Sequence, residues 1–411
     1  MAVASAAFAS GFGLYEASAP TYALGGAVVG RAYDATANFY NPATLTDLTN
    51  ITVTVGFMTE HPRGRMKVND EAGYTMMNPG SFFLPAFHLA MPLPWDLSFG
   101  LGVMPEYGLG STYDRNWPLS FNSTKTMVQS VTVNPNLSYK VTDRWSLGAG
   151  LRFLWFDFEQ YSSPIAARLG GTDLRVRNRL KGDNGMEDFG YQVGTKYDVT
   201  ERLAVGLVYK SETRVRVDGK SENKSISAPP TLMANPKLHS GPASAILHLP
   251  QSITGGFNWD VADDWHLGGA IAWTEWSSLD TLRFSLPGQT KPIRLRWEDT
   301  WRLSIAPSWD FAEDWSLLTS YTFETDCCGS QDSTMLPPST RHMVSLGLVW
   351  RVNENLDLGL TYGIILMSGH DSDCTLRYTD LATLTERSEK YSYAAHRALS
   401  HAAGFTITCR F

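Results

Sequence analysis

A short phrase returns six times along this chain, and its spacing restricts the folds available to it. Each copy places polar, turn-forming residues between two stretches in which apolar and polar residues alternate, the pattern of a tight hairpin turn. The copies are "LPWDLSFG" from Leu93, "VTDRWSLG" from Val141, "VTERLAVG" from Val199, "VADDWHLG" from Val261, "FAEDWSLL" from Phe311 and "VNENLDLG" from Val352. The sequence therefore predicts six tight turns between antiparallel strands.

The segments between successive phrases predict the rest of the architecture. Each spans about 40 to 60 residues, which is room for two strands and one longer polar loop. Six short turns on one side, long loops on the other and both termini on the short-turn side require fourteen strands. An even strand number with this asymmetry of loops is typical of outer-membrane barrels. The sequence therefore predicts an all-β fold, a 14-stranded antiparallel transmembrane β-barrel.

Side-chain alternation assigns the two faces of the barrel wall. Around the phrase at Val141, apolar residues alternate with small or polar ones, so one face suits lipid and the other a lumen. The apolar set is Val131, Val133, Leu137 and Tyr139, and the polar set is Thr132, Asn134, Asn136 and Ser138. Tryptophans follow the turns in register, as in an interfacial aromatic girdle. They are Trp95, Trp145, Trp265 and Trp315.

Composition and motifs argue against several classes of function. A net charge of −7 without a basic tract argues against nucleic acid as a partner. The chain has no G-x-S-x-G, H-E-x-x-H or phosphate-loop motif, so an enzyme is not predicted. No cofactor or metal is predicted either, since the four cysteines match no zinc spacing and "HDSDC" (370–374) is expected to be a solvated loop. Cys327 or Cys328 could bridge Cys374 in an oxidising compartment, or all four could remain thiols.

The N-terminal residues do not alternate like the rest. Residues 1–50 are mostly Ala, Gly, Ser and Thr with few charges, and they lack the basic start of a complete signal peptide. A wide barrel must hold water or be filled, and a compact segment of small residues is suited to fill it. We expect an N-terminal plug (hatch) inside the lumen at 1–50, in a nearly mature chain, followed by the barrel at 51–411.

Six phrases follow one another along nearly the whole chain: "GGAVVGRAYDATANFYNPATL" in the plug, "PEYGLG" from Pro105, "VNPNLSYKVTDRWSLGAGL" from Val133, "LPQSITGGFNWDVADDWHLGGAIAWTEWSSLDTL" from Leu249, "LPPSTRH" from Leu336 and the closing "HAAGFTITCRF". In this order they resemble the FadL/TodX family of outer-membrane transporters for long-chain fatty acids and other hydrophobic molecules. The resemblance implies a monomer in the outer membrane of a Gram-negative bacterium that takes up a fatty acid or hydrocarbon. The last residue of the sequence, Phe411, resembles the signal that the barrel assembly machinery reads in outer-membrane proteins. The plug's Asn41, Pro42 and Ala43 match the family's hatch motif.

The third strand is the expected exit. Pro105 cannot donate to a sheet ladder, and Gly100 and Gly102 weaken it, so a kink is expected there. The resemblance implies that this kink, with Tyr107 and Gly108, opens the wall and lets a ligand leave laterally into the membrane. We further expect Asn41 to bond to backbone groups left unpaired at the kink. Pro42 should force an extended conformation on Asn41, the residue before it.

Ligand contacts are expected from the fifth strand and from the third and fourth long loops. Arg152 and Phe156 lie on the fifth strand, and the fourth loop, 212–246, is apolar for an exposed segment. Its candidate ligand-binding residues are Leu232, Met233, Leu238 and Ile246. Basic residues of the third loop could meet lipopolysaccharide or a carboxylate, or could be merely solvated; they are Arg168, Arg175, Arg177, Arg179 and Lys181.

The chemistry of the ligand and the mode of transport stay open at the sequence level. Fatty-acid carriers of the family tend to have a basic residue where this chain has Asp157, which favours a neutral hydrocarbon or aromatic ligand unless Arg152 substitutes. A diffusion porin for polar solutes is the alternative function. Porins constrict the lumen with an inward loop and charged rings, and a steady, large single-channel conductance would favour that function.

Overall fold

The computed structural model describes residues 11–69, 73–77, 80–328, 333–335, 339–369 and 371–411. Within them, 23 strands join into one sheet in which all pairs but one are antiparallel. The strands are β1 (Thr52–Val68), β2 (Thr75–Met77), β3 (Phe82–Leu93), β4 (Leu97–Met104), β5 (Gly108–Thr112), β6 (Lys125–Thr142), β7 (Trp145–Ser162), β8 (Ile165–Leu169), β9 (Thr172–Asp183), β10 (Asp188–Asp198), β11 (Leu203–Lys210), β12 (Thr213–Ser225), β13 (Gly241–Leu249), β14 (Ser252–Asp260), β15 (Trp265–Thr274), β16 (Thr281–Leu286), β17 (Gln289–Arg294), β18 (Thr300–Ala312), β19 (Trp315–Glu324), β20 (Ser339–Asn353), β21 (Leu356–Gly369), β22 (Asp371–Asp380) and β23 (Thr385–Arg410).

Helices are few and short. The α-helices are α1 (Ala19–Ala23), α2 (Ala37–Tyr40) and α3 (Pro230–Met233), and the 3₁₀ helices are Pro42–Asp47, Pro236–Leu238 and Trp276–Leu279. Among the described residues, no helix has both the length and the apolar character needed to cross a membrane. The predicted all-β fold is confirmed.

The sheet closes on itself because β1 pairs with β3 on one edge and with β23 on the other. Closure pairs the first wall strand with the last, as a wall in lipid requires. Around the ring the order is β1, β3, β4, β6, β7, β10, β11, β14, β15, β18, β19, β20, β21 and β23. β5 continues the line of β4 along β6. The remaining strands lie in the long loops, which pair with one another, so the total is larger than the fourteen predicted.

All six repeated phrases lie at tight turns, as predicted, between paired neighbours of the ring. In the first of them Trp95 and Asp96 have φ of 62° and 59°. Positive φ at both central residues gives the twist that joins two antiparallel strands without splaying them. The tryptophans after the turns pack in pairs, since Trp265 stacks on Trp309 and Trp315 on Trp350, each with ring centroids 5.4 Å apart.

The side chains of the wall strands face the sides predicted from their alternation. On β6 the side chain of Ser138 is 1% exposed, whereas that of its neighbour Leu137 is 51% exposed. The described part of the N-terminal region, 11–50, lies inside the ring with most of its residues buried, and β1 begins at Thr52. Residues 1–10 of the expected plug lie outside the described residues, as does His370 of "HDSDC". Small residues let this inner segment approach the wall closely.

Candidate transport site

The third strand of the wall is broken in the middle. β4 ends at Met104 and β5 begins at Gly108, so Pro105 lies in the break as predicted. Gly100 and Gly102, which were expected to weaken this strand, lie in β4 before the break. Both stay in register with β3 and β6. Their role is steric, since a Cβ at Gly100 would overlap the side-chain oxygen of Asn38 in the plug.

The break opens the ladder between the second and third wall strands. β3 pairs with β4 only from Phe87, opposite Val103, and β5 pairs only with β6. Among the described residues, the stretch 82–86 of β3 therefore has no strand partner on the side of β5. In this stretch Leu84 is buried towards the lumen, while Phe83 is 46% exposed on the outer face. The opening thus has apolar side chains on both sides of the wall.

Ser130 of β6 satisfies the backbone at the break. Its Oγ accepts hydrogen bonds from the backbone N–H of Glu106 at 3.3 Å and of Tyr107 at 2.8 Å, and donates to the carbonyl of Tyr107 at 2.8 Å. Backbone groups at membrane depth need such partners, because lipid supplies none. The expectation that Asn41 would take this role is wrong. The sequence carried no signal for Ser130, one of many polar residues on inner faces.

Asn41 instead joins the plug to β10. Its Nδ2 donates to the carbonyls of Val29 at 2.7 Å and Thr195 at 3.1 Å, and its Oδ1 accepts from the N–H of Ala43 at 3.1 Å. Its φ of −157° and ψ of 107° are extended, as Pro42 was predicted to require. The side chain fits only because the facing wall residue is Gly194, where a Cβ would overlap Oδ1.

The start of the plug covers the open edge of the third strand. Gly13 pairs with Tyr107 as an isolated antiparallel bridge. The N–H of Leu14 donates to the carbonyl of Glu106, and the N–H of Gly108 donates to the carbonyl of Phe12, each at 2.8 Å. We call residues 12–14 the gate segment. Sequence reasoning missed it, because three irregular residues have no periodicity to read.

Aromatic rings hold the gate segment in place. The ring of Phe12 has its centroid 5.0 Å from that of Trp276, 5.8 Å from Trp297, 6.0 Å from Tyr107 and 6.3 Å from Phe156. All five side chains belong to one large buried apolar cluster in the lumen. Phe156, a predicted ligand-binding residue, is thus brought together with the break. Release of Phe12 would expose an apolar surface beside the opening.

A charged cluster lies next to the same break. Glu106 accepts from Arg152, with Nη2 2.7 Å from Oε1 and Nε 3.2 Å from Oε2, and from the hydroxyl of Thr132 at 3.1 Å. Nζ of Lys210 lies 3.4 Å from Oε1 of Glu106 and 3.3 Å from the ring centroid of Phe39. Two buried cations thus face one carboxylate, which leaves one positive charge in excess locally.

The strand period decides which β7 residues belong to this site. Arg152 and Phe156 are buried on the inner face, whereas Asp157 and Glu159 lie on the other face of the strand. Asp157 therefore does not occupy the inner position that was expected to decide the ligand's charge. Its presence does not count against a carboxylate ligand, because Arg152 and Lys210 supply the inner cations.

Among the cavities along the lumen, two bear on the transport site. A small one of about 40 Å³ lies behind the break, between the plug and the charged cluster. A larger one of about 670 Å³ lies among the long loops and mixes apolar walls with cations. Its apolar lining includes Phe121, Ile165, Leu180, Leu238, Leu286 and Ile293, and its cations are Lys237, Lys291, Arg294 and Arg377.

The four residues of the fourth loop that were predicted to bind ligand lie in different places. Leu238 lines the larger cavity, and Leu232 and Met233, both in α3, are half-buried. Ile246 is 39% exposed, while its neighbour Leu247 faces the buried cluster. On β13 it is therefore Leu247, and not Ile246, whose side chain faces the inner cluster, because a shift of one residue along a strand changes the face.

Basic residues of the third loop are largely engaged within the protein. Arg168 bonds to Asp173 at 2.7 Å and to Glu389 at 2.6 Å, and its guanidinium lies 4.2 Å from the ring centroid of Tyr378. These contacts join the third and seventh long loops, where β8 and β22 form the parallel pair. Arg175 and Arg179 also make ion pairs, while Arg177 and Lys181 are exposed.

All four cysteines, each in the described part of the chain, are thiols, so neither Cys327 nor Cys328 forms the disulfide with Cys374 that was left open. Cys327 and Cys328 lie in a segment between β19 and β20 that folds inward against the gate segment. The thiols are close to each other because of the backbone course of this segment.

Comparison with known proteins agrees with this architecture. The sequence model of the family described as outer membrane protein transport protein (OMPP1/FadL/TodX) matches residues 1–409. The long-chain fatty acid transport protein of Escherichia coli O6:H1 is 23% identical over 397 residues, covering 88% of each chain.

Solved structures share the fold. A Pseudomonas aeruginosa FadL homologue superposes with a TM-score of 0.84 at 18% identity, covering 98% of this chain and 100% of its own. The toluene transporter TodX of Pseudomonas putida superposes with a TM-score of 0.75 at 15% identity, covering 98% and 99%. At these identities the likeness concerns the fold, a barrel with an internal plug.

Proposed function

The chain belongs to the OMPP1/FadL/TodX family of outer-membrane transport proteins, and we propose that it carries hydrophobic molecules through its lumen and releases them sideways into the membrane. As a member of this family it is a transport protein of the Gram-negative outer membrane rather than an enzyme. We assign the fourteen members of the ring as the membrane-crossing strands. The observation that carries the proposal is the edge of β3 at 82–86, which has no strand partner beside the broken third strand in the part of the chain that the structure describes.

Hydrophobic transfer explains why a lateral exit serves such a ligand. Each buried methylene is worth about 0.8 kcal/mol, so moving a long alkyl chain from an apolar site into water costs free energy in proportion to its length. An opening into the bilayer lets the chain move from one apolar environment to another. In this protein the buried apolar cluster around Phe12 reaches the opening directly, and no aqueous step is required between the two.

The path has three stages. A ligand is first held in the cavity of about 670 Å³ among the long loops, with Leu238 in its lining. It then enters the apolar cluster that contains Phe156. Displacement of the gate segment finally uncovers the edge at Tyr107 and Gly108, while Asn41, Pro42 and Ala43 keep the rest of the plug against the wall.

Both ligand classes named for the relatives can be accommodated. A fatty carboxylate can use the excess positive charge of Arg152 and Lys210 beside Glu106. A hydrocarbon or an aromatic molecule needs only the apolar cluster.

We propose long-chain fatty acids, hydrocarbons and aromatics as the substrate range, with the exposed Arg177 and Lys181 available to lipopolysaccharide. We further propose a monomer whose C-terminal strand, ending at Phe411, is read by the barrel assembly machinery.

A reversible crosslink between the gate segment and the third strand tests the exit. In a background with the four native cysteines replaced by serine, Gly13→Cys and Tyr107→Cys are introduced together. Phe12 and Leu14 make the hydrogen bonds that flank the pair Gly13 and Tyr107, so this is a non-hydrogen-bonded pair with Cα atoms about 4.5 Å apart, within reach of a disulfide. The oxidised protein should take up no radiolabelled fatty acid or hydrocarbon, and reduction should restore uptake.

The reduced form of the same variant is the matched control, because it has the same sequence and lacks only the crosslink. Equal uptake by the oxidised and reduced forms would show that the ligand leaves by another route. The porin alternative is tested in planar bilayers. A steady, large conductance that persists in the oxidised form would favour diffusion of polar solutes over the carrier function.

A further inference from the structure

Two adjacent cysteines and an aspartate form a cluster in the inward segment after β19. The Sγ atoms of Cys327 and Cys328 lie 3.6 Å apart. A carboxylate oxygen of Asp326 lies within 4.8 Å of both sulfurs. The two cysteines are 0% and 2% exposed. Successive side chains of a strand point to opposite faces, so two neighbouring thiols on one side require the irregular backbone found here.

The distance between the sulfurs suits a tetrahedral metal ion. Zinc binds thiolates at about 2.3 Å, which at tetrahedral angles places two sulfurs about 3.8 Å apart. A linear two-coordinate ion with similar bonds would hold them about 4.6 Å apart, farther than is observed. Two sulfurs and one carboxylate oxygen are a donor set suited to a divalent ion of intermediate softness.

Two polar groups from other parts of the chain face the sulfurs. The backbone N–H of Gly11 donates to Sγ of Cys327 at 3.0 Å. The guanidinium of Arg341 is buried and close enough to both cysteines and to Asp326 to interact with them electrostatically. Both groups would also face a metal-bound thiolate, which is the form of cysteine that binds metal.

We propose that Asp326, Cys327 and Cys328 bind a thiophilic divalent cation of the Zn²⁺ or Cd²⁺ class. Binding displaces one proton from each thiol, and the remaining coordination position is open to water or an anion. Sequence reasoning predicted no metal, because adjacent cysteines fit none of the spacings by which zinc sites are recognised. The spacing of the cysteines does not indicate a metal site, but the fold turns both thiols to the same side and so brings the ligands together.

The site is connected to the gate segment. Gly11, which bonds to Cys327, directly precedes Phe12. With metal bound, the hydrogen bond from Gly11 ends on a thiolate and becomes charge-assisted, about twice as strong as a neutral one. The stronger bond would hold the gate segment closed, so the bound ion should slow uptake about tenfold. This effect on uptake, which we call the latch, rests on the proposed function.

Titration of the purified, detergent-solubilised protein with Cd²⁺ tests the site without reference to transport. One equivalent should bind with a thiolate-to-metal charge-transfer absorption, and Zn²⁺ should displace it. Cys327→Ser, Cys328→Ser and Asp326→Asn should each weaken binding by more than the tenfold to about hundredfold typical of an outer-shell change. Cys409→Ser, which removes a thiol elsewhere in the barrel, is the matched control and should bind like the parent.

Three outcomes would overturn the site: no binding to the parent, binding unaffected by all three substitutions, or isolation of the chain two hydrogens lighter with Cys327 joined to Cys328. Uptake of radiolabelled fatty acid with and without Zn²⁺ then tests the latch. Slower uptake in the parent but not in Cys327→Ser supports it, and unchanged uptake with the ion bound refutes it. Absence of uptake even without metal would instead count against the transport function.

Discussion

Replacing Lys210 by methionine should lower the affinity of the lumen for a carboxylate while sparing its affinity for an apolar chain. Arg152 and Glu106 are joined by two close contacts and neutralise each other, so Lys210 carries the local excess charge. Methionine keeps much of the length of lysine and its contact with Phe39. Glu106 keeps Arg152 as a partner, so no buried carboxylate is left alone.

The size of the effect follows from the geometry. Two unit charges about 4 Å apart attract by about 4 kcal/mol at an effective dielectric constant near 20. Desolvation of the ligand carboxylate and of Lys210 offsets part of this attraction. We expect a loss of about 2 kcal/mol, which is a factor of about 30 in the dissociation constant.

Calorimetric titration of the purified protein with a long-chain fatty acid and with the alcohol of the same length measures this difference. The Lys210→Met variant should bind the acid about 30 times more weakly than the parent does and the alcohol about equally well. Equal losses for both ligands would mean that Lys210 acts through packing on Phe39. Unchanged affinity for the acid would refute the inference of an excess positive charge.

Three further changes test other parts of the structure. Gly194→Val should displace Asn41, loosen the plug and raise the frequency of channel openings in planar bilayers, and unchanged recordings would argue against that contact. Ser130→Ala should leave two buried backbone N–H groups without an acceptor, lowering barrel stability in denaturant by about 2 to 4 kcal/mol. The hydrogen bond from Arg168 holds the pKa of Glu389, in the loop-side part of β23 that pairs with β22, below its usual range. Because the folded-state pKa is depressed, the pair of Arg168 and Glu389 contributes its full stability above the ordinary carboxyl pKa and loses it as the pH falls through the lowered value. Hydrogen exchange of the third loop should therefore become faster at low pH, and an exchange protection that does not change with pH would contradict this expectation.

The architecture could be predicted largely from local signals. The turn phrases, the period of two and the small residues before residue 51 each depend on neighbours a few positions apart. Leu137 and Ser138 took the predicted faces for that reason. The strand total differed, because pairing between long loops depends on their spatial proximity, as β8 and β22 show.

The site was predicted less completely. Pro105 marked the break, since a missing backbone donor is readable at any position in a sequence. Ser130 and Gly13, which pair with the backbone at the break, are ordinary polar and small residues without a motif. Asn41 was assigned to the wrong strand, because a side chain's hydrogen-bonding ability does not say which carbonyls the fold brings to it.

By itself, the sequence determined a closed, lipid-facing wall of antiparallel strands around a plug, and its motifs indicated the family. Periodicity is a property of the chain, and lipid admits few ways to satisfy a strand's backbone. The tertiary structure alone decided that Asn41 bonds to β10, that residues 12–14 cover the opening, and that Cys327 and Cys328 lie side by side against Gly11. These relations join residues up to 316 positions apart, and such contacts exist only once the barrel has closed around its own N-terminus.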